Sequence, residues 1–96
     1  MTKDEALDRL EEAELAPALY RTARRILDRV SEADGYCRID HATARQICGT
    51  ESDETVRGHL SRLTSAGLLH RTVSSTTIYI EWCGWHDAAA LTDGRQ

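Results

Sequence analysis

The sequence predicts a mainly α fold closed by a small β-hairpin, and three observations carry that prediction. Apolar residues recur at helical spacing in four separate stretches before residue 67. Those stretches are bounded by residues that start or stop helices, among them Thr2, Pro17, Asp40, Gly49, Ser52 and Gly67. Beyond residue 67 the pattern shifts to short β-rich runs with two-residue alternation.

Taken in order, Thr2-Lys3-Asp4-Glu5 has the spacing of a capping box. Ala6, Leu7, Leu10 and Ala13 follow on one helical face with acids opposite, so a short amphipathic helix is expected to about Leu15. Pro17 suits a first helical turn, and Leu19, Ala23, Ile26, Leu27 and Val30 form the apolar stripe of a second helix expected to end near Ala33-Asp34-Gly35. Tyr36-Cys37-Arg38-Ile39 reads as a stub of strand. Asp40 then caps a third helix whose Ala44, Ile47 and Cys48 share a face, and Gly49 stops it. After the turn Thr50-Glu51, Ser52 caps a fourth helix in which Val56, Leu60 and Leu63 recur at i, i+4 and i+7 until Gly67 supplies a left-handed residue. Leu68–Val73 and Thr77–Trp82 read as two strands joined across Ser74-Ser75-Thr76-Thr77, where the lack of Gly and Asn argues against a two-residue primed turn. The stretch from Cys83 to Gln96 has no clear period.

A chain of 96 residues builds one core and has little left over for a second, so a single domain is expected over 1–96. Within it, residues 1–16 form an acidic N-terminal helix, 17–82 the main unit and 83–96 a C-terminal tail. Phe is absent and aromatics are few, so Leu, Ile, Val and Ala must build the core. No apolar run approaches the roughly 20 residues needed to span a bilayer, and Lys3-Asp4-Glu5 stands where a signal peptide would turn apolar, so a cytoplasmic protein without membrane contact is expected. Three scattered cysteines, Cys37, Cys48 and Cys83, do not suggest a disulfide framework. The formal net charge is −4, which argues against a nonspecific polyanion binder. That acidity is concentrated before Ala16: from Ala16 to Trp82, nine arginines face eight acids.

The run Val56-x3-Leu60-x2-Leu63-x2-Ala66-Gly67-Leu68-Leu69, preceded by Thr43-Ala44-Arg45-Gln46-Ile47, resembles the winged helix-turn-helix family of DNA-binding domains over roughly residues 17–82. The resemblance implies a three-helix core plus a wing, here with an extra N-terminal helix. It also implies double-stranded DNA as partner, in a transcriptional regulator or in the DNA-docking domain of a replication or mobile-element protein. In that family the second helix of the motif enters the major groove and the wing reaches adjacent backbone. The implied contact residues are Ser52, Thr55, Arg57, Gly58, Ser61 and Arg62 on the helix, with Arg71, Ser74, Ser75, Thr76 and Thr77 on the wing. Arg57 suits a guanine edge, Thr55 and Ser61 a base or phosphate, and Arg62 and the wing hydroxyls phosphate oxygens. A mid-helix glycine costs about 1 kcal/mol relative to Ala, so Gly58 calls for a packing or close-approach reason.

Two features depart from the family pattern. Ala44 to Val56 is a longer separation than usual, and Glu51, Asp53 and Glu54 crowd the leading end of the recognition helix, where they favour the helix dipole and repel phosphate. The expected DNA affinity is therefore modest and strongly salt-dependent. The alternative reading keeps the fold but makes it a protein-interaction module with little or no DNA binding. A homodimer also fits, with the segments outside 17–82 as interface.

Other candidates have plainer readings. Arg57 and Arg62 could simply be solvated, or paired with Asp53 and Glu54, from which Arg57 stands at helical spacing. Arg21, Arg24, Arg25 and Arg29 read as a solvated helix face with Asp28 and Glu32 in reach. Residues 2–15 read as an added helix packed on the core or a dimerisation element. Cys83-x2-His86 and Cys37-x3-His41 match no recognised zinc pattern, so the cysteines are read as small core residues and no metal or cofactor is expected. Trp82 and Trp85 are read as late-chain hydrophobic anchors. With no phosphate loop, nucleophile elbow or juxtaposed His and acid, the sequence does not suggest an enzyme.

Overall fold

Three of the four helices among the described residues start where a polar side chain satisfies one of the first free amides. In the computed structural model, which describes residues 1–85, the Thr2 hydroxyl accepts from the Glu5 amide at the start of α1 (Lys3–Glu12). Asp40 accepts from Thr43 N at the start of α3 (His41–Cys48), and Ser52 from Thr55 N at the start of α4 (Asp53–Ser65). Pro17 opens α2 (Pro17–Arg29) with no side-chain cap, as its missing N–H permits. Gly49 and Gly67, at φ 66° and 78°, take the left-handed conformation that releases the chain after α3 and α4.

Two helices stop short of the expected ends. Glu14, at φ 51°, enters the left-handed region and breaks α1 after Glu12, well before Leu15. Helix α2 ends at Arg29 because Val30 turns extended, and residues 31–35 close a tight loop through Gly35 N to Ser31 O at 2.7 Å. The apolar stripe carried no sign of that stop: Val30 stays buried although it has left the helix.

Three antiparallel strands join the helices among the described residues: β1 (Tyr36–Asp40), β2 (Leu69–Val73) and β3 (Thr77–Trp82), in the order β1-β3-β2. The expected hairpin is β2–β3, and its loop is Ser74–Thr76, with Thr77 already in the strand. The stub at Tyr36 proves to be a full strand pairing along β3 from Tyr36 with Glu81 to Asp40 with Thr77. Among the described residues, four helices and a three-stranded sheet therefore make an α+β architecture.

One cluster of buried side chains joins all these elements. Ala6 and Leu10 of α1 are fully buried in it, as are Ala23 of α2, Leu63 of α4 and Ile80 of β3. Cys83–Trp85, assigned above to the tail, continue this core: Cys83 N donates to Leu68 O, and Trp85 is only 3% exposed. Its indole N–H donates to Glu32 O at 3.0 Å, and its carbonyl accepts from the amino group of Met1 at 2.8 Å. Gly35 is required beneath it, because a Cβ there would overlap the indole. His86 and the rest of the 83–96 segment lie outside the described residues.

Asp40 and Asp53 couple this fold to acid. The Thr43 amide holds the Asp40 carboxyl below its ordinary range, and the Arg45 guanidinium does the same for Asp53. A carboxyl lowered in the folded state stabilises fully above its unfolded value, about 4, and that stabilisation is lost as pH falls through the lower folded value. Urea midpoints should therefore fall below about pH 4 in the native chain, and should fall less steeply in the Asp40→Asn/Asp53→Asn double variant, which keeps the capping acceptor. Equal slopes for the two proteins would show that these carboxyls do not carry the acid sensitivity.

Candidate nucleic-acid interface

Helix α4 is seated by one stripe and exposes the other. Val56, Leu60 and Leu63 are buried, so Arg57, Gly58, Ser61 and Arg62, one or two positions away around the helix, form a contiguous outward face. The side chains of Arg57, Ser61 and Arg62 are exposed and make no hydrogen bond or ion pair among the described residues. Thr55 is exposed beside them; Ser52, also exposed, spends its hydroxyl on the helix cap. A Cβ on Gly58 would meet no atom within 4 Å, so internal packing does not explain this glycine.

The hairpin flanks that face. Leu69, Arg71 and Val73 point from β2 toward α4, and the Arg71 guanidinium donates to the carbonyl of Arg57 at 3.3 Å. Arg71 is thus braced against the helix rather than extended along the wing, and it sets a second guanidinium beside Arg57. In the loop, Ser74 Oγ donates to Thr77 O and accepts from the amides of Thr76 and Thr77, while Thr76 and Thr77 share a hydroxyl contact of 3.2 Å. These bonds stiffen the tip. Among the wing hydroxyls, Ser75 makes no bond within the described residues.

Three contacts that sequence spacing did not suggest hold the arrangement. Arg45 of α3 reaches across the turn to Asp53 at 2.8 Å, so Asp53 pairs there and not with Arg57. The pair cancels one of the three leading acids, leaving Glu51 and Glu54 exposed and without an ion pair among the described residues. His41 bonds the Ser74 carbonyl at 3.1 Å and ties the hairpin tip to the start of α3. Thr22, buried on α2, contacts His59 Nδ1 on α4 at 3.0 Å while donating to Ala18 O. Eight residues separate Arg45 from Asp53, and more than thirty separate the other two pairs, so no local period announces them.

The remaining candidates separate from this face. Arg24 pairs with Asp28 at 3.7 Å, and Arg25 donates to Ile47 O, so half of the α2 arginine cluster serves the fold. Cys37 lies buried on the inner face of the sheet, where burial pushes its thiol up, and His41 is engaged at the hairpin; the two do not form a shared site. Cys48 packs against the core. His86, the partner considered for Cys83, lies outside the described residues. Among the described residues no helix is long and apolar enough to cross a membrane.

No family model, curated protein or solved structure matches this chain.

Proposed function

We propose that this chain is a winged-helix DNA-binding domain in which α2, α3 and α4 form the core, α4 enters the major groove, and the β2–β3 hairpin is the wing. The observation that carries the reading is the outward face of α4: two arginines with no ion pair among the described residues, a serine and a bare glycine backbone, flanked by a stiff hydroxyl-bearing loop. Arg57 at the leading half reads base edges, Arg62 meets phosphate, and Ser75 lies along the neighbouring backbone. The role is that of a transcriptional regulator or the DNA-docking domain of a replication or mobile-element protein.

Electrostatics sets the expected strength. Glu51 and Glu54 still oppose phosphate at the leading end, so binding is modest and steeply salt-dependent. Fluorescence anisotropy of a labelled random-sequence duplex, at low and near-physiological salt, should show saturable binding that weakens sharply with salt. Arg57→Ala and Arg62→Ala should each weaken it, and Arg62→Ala should lower the salt slope by about one, the mark of a lost phosphate contact. No binding at low salt would overturn the proposal.

One observation favours the second reading, a protein-interaction module. Val73 is 50% exposed beside a cleft of about 110 Å³ floored by Val56, Leu60 and Ile78 and rimmed by Arg57 and Arg71, a shape suited to one apolar side chain. A partner footprint by hydrogen exchange that leaves Val73, Arg57 and Ser61 unprotected would count against it.

A further inference from the structure

The outer face of the sheet, turned away from the helices, carries a second cluster unrelated to α4. Alternation along the strands puts Tyr36 and Arg38 of β1, Tyr79 and Glu81 of β3, and His70 and Thr72 of β2 on this side. Register sets Glu81 between Tyr36 and His70, and Tyr79 between Arg38 and Thr72. The two tyrosine rings stand diagonally, with centroids 6.2 Å apart and planes tilted by 31°. Tyr36, Tyr79, Glu81, His70 and Thr72 enclose an open cleft of about 360 Å³, and Tyr36 is one of the two large hydrophobic residues exposed among the described residues.

We infer that this cleft is a receptor for a cationic side chain, guanidinium or ammonium, presented by a short basic segment of a partner protein. A cation over the tyrosine faces gains from their quadrupoles, and Glu81 supplies the opposing charge at the floor. Glu81 also disfavours a phosphate-bearing occupant, which separates this face from the surface of α4. Arg38 and Asp40 do not line the cleft, so among the described residues Glu81 is its one acidic side chain, with no Lys or Arg in the lining. Area excludes a second copy of the chain held by this face alone. The outer strands are roughly 10 Å apart and five residues run about 17 Å, far below the ~800 Å² per partner of a stable interface.

The test is a two-dimensional NMR titration of the ¹⁵N-labelled full chain with the tripeptide acetyl-Gly-Arg-Gly-amide, with acetyl-Gly-Glu-Gly-amide as control. Saturable shifts are expected at the Tyr36, Tyr79 and Glu81 amides, with a Kd on the order of ten millimolar, as exposed cation–π contacts and one exposed ion pair allow. Glu81→Gln should weaken the response roughly five-fold, the scale of one exposed ion pair. Tyr79→Leu, which keeps apolar bulk on a half-exposed site, should abolish saturation while the dispersed spectrum reports an intact fold. Absence of saturable shifts at those amides, an equal response to the glutamate peptide, shifts confined to the acidic α1, or undiminished binding by Tyr79→Leu would each overturn the inference. None of these outcomes depends on whether α4 binds DNA.

Discussion

Trp85→Ala should destabilise the chain by about 3–5 kcal/mol, the usual cost of emptying a buried tryptophan site. Native domains of this size are held by only about 5–15 kcal/mol, so the variant should lose a large share of its stability. The reason is where the indole sits. It is 3% exposed, covers Gly35, and donates to the carbonyl of Glu32, thereby closing the loop that carries the chain from α2 into β1. Its removal opens a cavity and leaves that carbonyl without its partner. Urea denaturation followed by far-UV circular dichroism gives the comparison, and Trp85→Phe provides a milder variant that keeps ring volume while losing the N–H donor. A Trp85→Ala protein within about 1 kcal/mol of the native chain would show that the core ends at Trp82.

Gly58→Ala should move stability and DNA binding in opposite directions. The added methyl meets no atom of the chain, so the substitution keeps only the helix-propensity gain, about 1 kcal/mol, or a rise in Tm of about 4–8 °C for a domain of this size. On the proposed reading, that methyl projects from the groove-facing surface between Arg57 and Ser61 and holds the duplex away from the helix backbone. A loss of affinity of about ten-fold or more is therefore expected in the anisotropy assay, in a protein that is more stable than the native one. A stabilised variant with unchanged affinity would remove Gly58 from the contact surface. A destabilised one would mean that the helix tolerates no side chain there, contrary to the open space around it.

Much of the fold was legible because it depends on neighbours in the chain. The caps at Thr2, Asp40 and Ser52 and the stops at Gly49 and Gly67 act within one helical turn, and the Val56, Leu60 and Leu63 stripe determines which side of α4 is buried. The outward positions Arg57, Gly58, Ser61 and Arg62 follow by subtraction. What the pattern misplaced were the ends of α1 and α2. A stripe of apolar residues reports burial and not conformation, and Val30 is buried equally well after the chain has turned extended.

The chemistry of the wing was less legible. Side-chain type alone placed Arg71 and the hairpin hydroxyls together as wing contacts. Arg71 is bonded to the carbonyl of Arg57, and Ser74 braces its own loop, which leaves Ser75 as the hydroxyl of the tip without a bond among the described residues. Thr22 was passed over because threonine in an apolar stripe gives no sign of whether its hydroxyl has a partner, and that partner, His59, lies on another helix.

By itself, the sequence determined the order of the helices, their caps, the β2–β3 hairpin, and which face of each helix turns inward, since all of these follow from periods and turn residues acting over a few positions. Only the tertiary structure decided that Tyr36–Asp40 joins the sheet as its third strand, that Asp53 is neutralised by Arg45, that Trp85 closes the core, and that Tyr36, Tyr79 and Glu81 share one cleft. Those are pairings between elements, set by strand register and by how the helices cross, and no local spacing carries that information.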